Sequence, residues 1–288
     1  MRARRIFIAL LVFPLTLACL AIHQQPTVEA ATTIQPYVGL RKHTTTTGFA
    51  GSPLTGVVVG SSGGRADIHL GRTGLSRGDN RLLYGNPSPY WYGTLLSPVF
   101  TAPHRFDTAI MSWNARTPAG TWLSLEVRAY RPGDGHWTKY YKLGIWASGT
   151  GTIHRHSVAG QGDRDGYVAT DTLLLYGNPA AYTRYQYRLR LFSTNLSATP
   201  RVNLISVMTS DSYKEPVGLA IPSDHQAWGK DLAVPRRSQM TYAGGDGWCS
   251  PTSTSMLLAY WGKSVTVPGA AAGTYDYVYR GNGNWPFN

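Results

Sequence analysis

The sequence predicts a mainly β protein, in which a β-sandwich of the jelly-roll type precedes a smaller C-terminal segment with a helix. Short runs alternate apolar and polar side chains with a period of two, which is typical of half-buried antiparallel strands. Turn residues separate these runs at short intervals. The 32 glycines and 18 prolines are accompanied by few helical patterns, which also favours β structure.

The first thirty residues have the pattern of an export signal. Arg2, Arg4 and Arg5 precede an apolar run over residues 6–20, and Ala30 offers a small residue for cleavage. This run is short for a membrane span, so we expect a bacterial protein that is secreted or held in the cell envelope, without a stable span after cleavage. The threonine-rich residues 31–48 are expected to form a flexible leader.

The charge of the chain narrows the class of partner. The expected signal carries three arginines and one glutamate, so its removal changes the formal net charge from +12 to +10. Outside a cell, such a balance favours contact with anionic polymers of the wall or matrix. The basic residues are scattered and form no lysine or arginine block, so we expect no nucleic-acid partner.

Residues 49–212 are expected to form the sandwich. The clearest strand is Thr121 to Tyr130, where alternate side chains are apolar, and a second such run covers residues 185–192. Pro132-Gly133-Asp134-Gly135 is a strong turn signal between two runs. Further strands are expected over residues 106–113, 137–146, 152–158, 167–175 and 202–208.

His154-Arg155-His156 lies in one of these expected strands and places two imidazoles on one face. Two imidazoles could begin a metal site, but no third ligand lies nearby in the sequence. We therefore expect a structural role for this run, and the sequence predicts neither a metal nor a cofactor.

Residues 213–233 contain Pro216 and Pro222 with little periodicity, which predicts a linker. Beyond it, Cys249 directly precedes an apolar run with helical spacing. Ser250 is placed to cap this helix, Pro251 suits its first turn, and Gly262 supplies the stop.

Cys249 is the one cysteine left after removal of the expected signal, which contains Cys19. A thiol at a helix N-terminus meets the positive end of the helix dipole and unpaired N–H groups, which favour the thiolate. The position therefore predicts a nucleophilic cysteine, and the alternative is a buried, inert one.

Catalysis by a thiol also needs a general base, a group that orients the base, and donors for the oxyanion. Gln239, upstream of Cys249, could supply a side-chain amide beside the backbone N–H of Cys249. The alternative for a lone glutamine is an ordinary polar surface residue.

Six runs of the C-terminal segment carry a family resemblance. They are Val234 to Met240, Trp248 to Met256, Leu258 to Gly262, Val267-Pro268, Ala271 to Asp276 and Gly283 to Asn288. Residues 234–288 resemble the C39-like peptidases, a branch of the papain-like cysteine peptidase superfamily. The upstream region, with Ser112-Trp113-Asn114-Ala115 and Thr117 to Trp122, is similar to the accessory domain of bacterial secreted members.

The resemblance implies that residues 234–288 are the N-terminal part of an α+β papain-like peptidase domain. It implies Cys249 as the nucleophile that forms a thioester, and Gln239 in the oxyanion hole. It also implies a histidine and an acidic or amide partner downstream of the cysteine, yet all eight histidines precede Cys249. We therefore expect an incomplete chain that lacks the catalytic histidine and is inactive alone; His225, in the linker, is the alternative base.

The sequence leaves three functions open. The first is an exported C39-like cysteine peptidase that acts on peptide or protein substrates. The second is a secreted β-sandwich that binds the cell wall or a polysaccharide, with a vestigial peptidase tail. The third is a thiol hydrolase of the amidase or transglutaminase type that uses the same nucleophile on another amide.

Overall fold

The computed structural model describes residues 37–81, 84–85, 89–214, 229–284 and 287. These residues form antiparallel β-sheets followed by a small helical region, which confirms the predicted mainly β fold class. The strands are β1 (Val38–His43), β2 (Leu54–Thr55), β3 (Val57–Ser62), β4 (Arg65–Leu70), β5 (Ser76–Gly78), β6 (Tyr90–Leu96), β7 (Phe100–Phe106), β8 (Thr108–Arg116), β9 (Thr121–Arg131), β10 (His136–Trp137), β11 (Tyr141–Trp146), β12 (Gly166–Ala169), β13 (Thr172–Leu175), β14 (Tyr182–Ser193) and β15 (Arg201–Ser210). The α-helices are α1 (Cys249–Tyr260) and α2 (Val267–Thr274).

The strands form two sheets. The first has the order β12-β13-β8-β15-β4-β3, and β1 also pairs with β15. The second has the order β10-β9-β14-β6-β2, where β11 pairs with β9, β7 with β14 and β5 with β6. The pairs among the described strands are antiparallel, so short turns can connect neighbouring strands.

The main hydrophobic core contains side chains from both sheets. Leu125 of β9 and Leu189 of β14 pack in one buried cluster with Met111 of β8 and Ile205 of β15. Each fully buried side chain of this size contributes roughly 2 kcal/mol to folding. The alternation predicted for the runs at 121–130 and 185–192 therefore assigns their core faces correctly.

The other face of β9 differs from the expectation of a solvent-facing row. Ser124 and Glu126 of this face are buried as well. The Nε of Arg188, on the neighbouring β14, donates to Glu126 Oε2 at 2.7 Å. Long side chains of β14 thus cover β9 from outside, and Glu126 is buried because a guanidinium pairs with it.

The expected strand over residues 152–158 is wrong. This segment makes only two isolated bridges among the described residues, Gly85 with Ile153 and Ile145 with His156. Its other backbone groups bond elsewhere: His154 N donates to Tyr84 O at 2.7 Å, and Arg155 O accepts from Tyr277 N at 3.3 Å. The segment forms no continuous β-ladder because its backbone groups make hydrogen bonds to other parts of the chain, including Tyr277 in the C-terminal segment.

The expectation of a flexible leader over residues 31–48 does not hold for Val38–His43. These residues form β1, which pairs with β15 from Val38 opposite Ser210 to His43 opposite Ile205. The pairing satisfies backbone groups along β15, and His43 at the end of β1 is buried. β1 lies at a sheet edge, where most of its side chains are exposed. Its composition therefore resembles that of a loop.

His43 makes the stability of the sandwich depend on pH. Its Nδ1 lies 2.7 Å from the hydroxyl of Tyr187. Burial lowers the pKa of His43 below its ordinary 6.5, and the nearby charge of Arg41 lowers it further. Near and below pH 6.5 the imidazole of His43 therefore binds a proton more readily in the unfolded chain than in the folded protein, so its contribution to the stability of the folded state falls as the pH falls.

We expect His43→Gln to weaken this pH dependence. Urea unfolding at pH 7.5 and 5.5 should show a smaller loss of free energy of unfolding for the variant than for the wild type, by at most about 1.4 kcal/mol, because a single imidazole contributes no more than this over the interval. His69→Gln, at a less buried position in β4, is the matched control for the replacement of an imidazole by an amide. An unchanged loss in His43→Gln would show that folding does not lower the pKa of His43.

The expected signal peptide, residues 1–30, and most of the expected linker at 213–233 lie outside the described residues. Both remain predictions, as do the other domain boundaries. Within the described part of the chain, neither helix is long and apolar enough to cross a membrane.

Candidate active site

Cys249 is exposed and is the first residue of α1. The N-cap is Trp248, so the expectation that Ser250 caps the helix is wrong; Ser250 and Pro251 lie in the first turn. The helix begins early because a 3₁₀ turn over Gly245–Gly247 leads directly into it, with Trp248 N bonded to Gly245 O at 2.9 Å. The backbone N–H groups of this first turn face outward from the helix end, where they stabilise negative charge.

Gln239 lies in a second 3₁₀ turn, Gln239–Thr241, upstream of α1. Its side-chain Nε2 donates to the carbonyl of Asp246 at 2.9 Å. Asp246 belongs to the turn that precedes Trp248 and Cys249, so this bond ties Gln239 to the segment that positions the cysteine. The structure thus connects the two predicted site residues through one loop, and it shows no direct bond between them.

Gly245 allows this loop to fold onto Gln239. A Cβ on Gly245 would lie 2.0 Å from the carbonyl oxygen of Gln239, which is closer than any real contact. The loop is closed by hydrogen bonds from Tyr242 N to Gln239 O and from Gly245 N to Tyr242 O. The glycine-rich run between glutamine and cysteine is therefore a compact double turn that requires a glycine at position 245.

We expect Gly245→Ala to open this double turn. The added methyl group must displace the backbone of Gln239, at a cost of about 1–3 kcal/mol. Chymotrypsin should then cleave after Tyr242 several times faster than in the wild type. Gly247→Ala is the matched control, because a Cβ there meets no heavy atom within 4 Å. Equal cleavage of the two variants would contradict the close approach at Gly245.

Helix α1 ends as expected at Gly262, which has a φ of 75°. Lys263 N donates to Leu258 O at 2.7 Å, and Gly262 N to Ala259 O at 3.0 Å, which satisfies carbonyls of the last turn. The helix buries small or polar residues, whereas Leu257 is exposed and Trp261 is 76 % exposed. The described residues therefore leave an apolar side of α1 uncovered.

Six of the eight histidines lie in the described β region, and His23 and His225 lie outside the described residues. None of the six makes a hydrogen bond to Cys249. His43 and His136 lie against Tyr187 and Asp165 respectively. Among the described residues, then, no imidazole is in place to act as the base of Cys249.

The C-terminal segment is anchored to the β-sandwich by a buried arginine. Arg155 is 2 % exposed, and its guanidinium donates to three carbonyls: Ala147 O at 3.2 Å, Ser148 O at 2.9 Å and Ala272 O at 3.0 Å. Burial lowers the pKa of Arg155 from its ordinary value. Ala272 belongs to α2, which packs against α1, so this arginine helps to place the helix that carries Cys249.

A second buried cluster surrounds Asp276, which we call the Asp276 cluster: Ser157, Asp276 and Asn284. The backbone N–H of Ser157 lies 3.1 Å from both carboxylate oxygens, and the Ser157 hydroxyl donates to Oδ2. Asn284 Nδ2 donates to Ser157 Oγ at 2.7 Å and lies 3.3 Å from Asp276 Oδ2. The carboxylate also accepts from Val278 N at 2.9 Å. Five donors thus converge on this carboxylate, counting Tyr279 N at 3.4 Å.

The run His154-Arg155-His156 contained a possible metal pair in the sequence. In the structure it lies where the β-sandwich contacts the C-terminal segment. The His154 ring packs 4.1 Å from that of Tyr277, and His156 Nδ1 lies 2.7 Å from His154 O. Burial lowers the pKa of His156. Within the described residues, no group of three or more His, Cys, Asp or Glu side chains is arranged to hold a metal.

Two family models match the chain. The model described as "Peptidase C39 N-terminal domain" matches residues 39–210, and the model described as "Peptidase_C39 like family" matches residues 231–288. The chain belongs to the C39-like peptidase family. The two matches of this C39-like protein suggest a peptidase-related function.

None of the curated proteins compared with this C39-like chain matches it. Among solved structures, it is similar to the CBM22-1–GH10 modules of xylanase 10B from Clostridium thermocellum, complexed with xylohexaose. The TM-score is 0.28 and the identity 9 %, over 64 % of this chain and 28 % of the xylanase chain. A likeness of this size carries no argument about fold or ligand.

The roles of Arg155, Ser157, Asp276 and Asn284 do not follow from the sequence patterns. Asp276 and Asn284 appeared only as parts of the family resemblance, and Arg155 only as the centre of a histidine pair. One signal was present: Arg155 lies between two histidines in a strand-like run without a neighbouring carboxylate. Its buried partners are backbone carbonyls, which leave no mark in the sequence.

Proposed function

We propose that this C39-like protein is an exported cysteine peptidase in which Cys249 attacks a peptide carbonyl and forms a thioester. The observation that supports it most is the exposed position of Cys249 at the start of α1, within a chain whose family is that of C39-like peptidases. The thiolate would add to the carbonyl carbon, and collapse of the intermediate would break the C–N bond. Water would then hydrolyse the thioester.

Two groups are assigned to the oxyanion. The backbone N–H of Cys249 lies at the first helical position, where α-helical bonding leaves N–H groups free to donate. The Gln239 amide carries a second N–H besides the one bonded to Asp246 O, and we assign that second donor to the oxyanion. The close packing of Gly245 against Gln239 would hold this amide in place.

The leaving amine needs a proton from a general acid, and a histidine would supply it after deprotonating Cys249. No histidine of the described residues contacts Cys249. We therefore expect the 288-residue chain alone to form an acyl-enzyme from an activated donor, but not to turn over peptides.

A peptidyl p-nitrophenyl ester tests this proposal, because its leaving group departs without a proton. The thiolate forms the S–C bond, the C–O bond breaks and p-nitrophenolate is released. We expect one equivalent of p-nitrophenolate per protein molecule, and peptide mapping should find the acyl group on Cys249. Acylation at other residues, with Cys249 unmodified, would overturn the proposal. Steady peptide hydrolysis that depends on Cys249 would support Cys249 as the nucleophile and would overturn only the expectation that the chain lacks a general base.

Export to the cell envelope or medium is part of the same proposal and rests on the N-terminal sequence pattern. The test is N-terminal sequencing of protein from the culture medium and the envelope. A mature protein that begins after Ala30 supports export, and full-length protein confined to the cytosol would contradict it.

A second candidate function is binding of an anionic cell-wall polymer by the β-sandwich. It is supported by the formal net charge of +12 and by the basic and aromatic outer face of the second sheet. This function and the peptidase function are compatible, because they use different parts of the chain.

A further inference from the structure

The outer face of the second sheet carries a row of basic side chains. On β14 they are Arg184, Arg188 and Arg190, and Arg128 projects from the adjacent β9. Aromatic rings accompany them: the Arg184 guanidinium lies 4.2 Å from the ring centre of Tyr130, and that of Arg128 lies 4.4 Å from Trp137. The one carboxylate contributed to this face by the paired stretch of β9 and β14 is Glu126. The face is therefore positively charged, and aromatic rings lie beside its arginines.

A cavity of about 410 Å³ lies at one end of this face. Tyr92 and Phe192 form part of its wall, with ring centres 5.8 Å apart and ring planes tilted by 37°. Trp122 lies stacked on Phe192 at 5.1 Å and is fully buried, which fixes the position of Phe192. The cavity thus has a firm, angled apolar wall made of two half-buried rings.

Three basic side chains line the same cavity: Arg77, Lys142 and Arg190. Arg77 Nε is paired with Asp79 at 3.2 Å, and Arg190 Nη1 lies 3.6 Å from Glu126 Oε1, which exceeds a hydrogen bond. Lys142 makes no ion pair among the described residues. Lys142 is therefore available for a negative group inside the cavity, and Arg190 keeps N–H groups that its contact with Glu126 does not use.

Two buried polar atoms of the lining have no hydrogen-bond partner among the described residues. They are the hydroxyl of Ser124, a residue that is 3 % exposed, and Nε of Arg190. Buried polar atoms in native proteins are almost always bonded to protein, water or a ligand. The Ser124 hydroxyl and the Arg190 Nε–H at this cavity wall can therefore bond to the polar groups of a ligand or to water.

We propose that this cavity binds an acidic sugar, a pyranose ring that carries a carboxylate. The carboxylate lies between Lys142 and Arg190, a ring hydroxyl bonds to Ser124 Oγ, and the C–H face of the ring packs on Tyr92 and Phe192. The 37° tilt between the two rings suits a puckered saturated ring, whereas a flat nucleobase needs a flat stacking surface. The cavity lies in the β-sandwich and does not involve Cys249; an acidic sugar there rests on the polymer-binding function proposed above and names its ligand.

Titration calorimetry with tri-galacturonate and with the neutral galactose trisaccharide tests the site, at 50 mM and 300 mM salt. We expect the acidic sugar to bind and the neutral sugar to bind at least tenfold more weakly. Lys142→Gln and Arg190→Gln should each weaken binding of tri-galacturonate about tenfold. Because Arg190→Gln leaves the buried Glu126 with one partner fewer and could unfold the sheet, Lys142→Gln is the decisive variant.

Arg184→Gln is the matched control, since Arg184 lies on the same face of β14 but outside the cavity. We expect it to bind tri-galacturonate like the wild type. An equal loss in Arg184→Gln and Lys142→Gln would show diffuse electrostatic binding and would overturn the proposal. Equal binding of both sugars, binding of neither, or equally strong binding of oligo-thymidylate would also overturn it.

Discussion

Cys249→Ala is expected to abolish acylation by a peptidyl p-nitrophenyl ester, so that the release of p-nitrophenolate falls from one equivalent to the background of spontaneous hydrolysis. The reason is that Cys249 is the proposed nucleophile, and it is the one cysteine of residues 31–288. The side chain is exposed at the start of α1, so its loss removes no core packing. The measurement is stopped-flow absorbance at a protein concentration high enough to count equivalents.

Cys249→Ser is the informative companion to this variant. It keeps the size of the side chain and its place at the first helical position, but a serine hydroxyl needs a general base that the described residues do not provide. We therefore expect Cys249→Ser to behave like Cys249→Ala. A serine variant that is acylated at a useful rate would show that a base is present near position 249, and the expectation of no turnover would then be wrong.

Asp276→Asn is expected to have the largest effect on stability, a loss of about 2–4 kcal/mol. The Asp276 carboxylate accepts hydrogen bonds from Ser157, Val278, Tyr279 and Asn284 in a fully buried site. An asparagine has nearly the same shape, but its NH₂ group turns one acceptor into a donor that faces other donors. The C-terminal segment should then detach from the β-sandwich before the sheets unfold.

Hydrogen exchange of residues 267–284 measures this effect directly, together with urea unfolding of the whole protein. The amides of this segment should exchange faster in Asp276→Asn, whereas those of β9 and β14 should keep their wild-type protection. Asp231→Asn, at an exposed position, is the matched control and should change neither measurement by more than about 0.5 kcal/mol. Wild-type exchange in Asp276→Asn would show that the Asp276 cluster does not hold the segment in solution.

The two assigned sites lie in different parts of the protein and make separate predictions. Loss of acylation at Cys249 leaves the proposed sugar cavity intact, because its lining residues belong to the β-sandwich. Loss of the Asp276 cluster, in contrast, should affect the helix that carries Cys249 through α2 while the sheets persist. Measuring sugar binding by Asp276→Asn therefore separates damage to the C-terminal segment from damage to the whole fold.

Local sequence patterns determined the features that one short segment can encode. The alternation over residues 121–130 fixes which side chains of β9 enter the core, because successive residues of a strand point to opposite faces. Pro251 and Gly262 similarly mark the first turn and the end of α1 around the position of Cys249. Each of these signals depends on a few neighbouring residues, so it can be interpreted without knowledge of the rest of the chain.

Tertiary structure alone decided the features that depend on distant partners. The sequence predicts a strand over residues 152–158, but Ser157 bonds to Asp276, which is 119 residues away, and the segment makes only isolated bridges among the described residues. Residues 38–43 look like a leader, yet β15 offers them an unpaired edge. Glu126 reads as a solvent-facing residue, and it is buried because Arg188 of another strand covers it. The physical reason is the same in each case: a buried polar group is stable only with its partner, and the sequence does not say which distant residue that partner is.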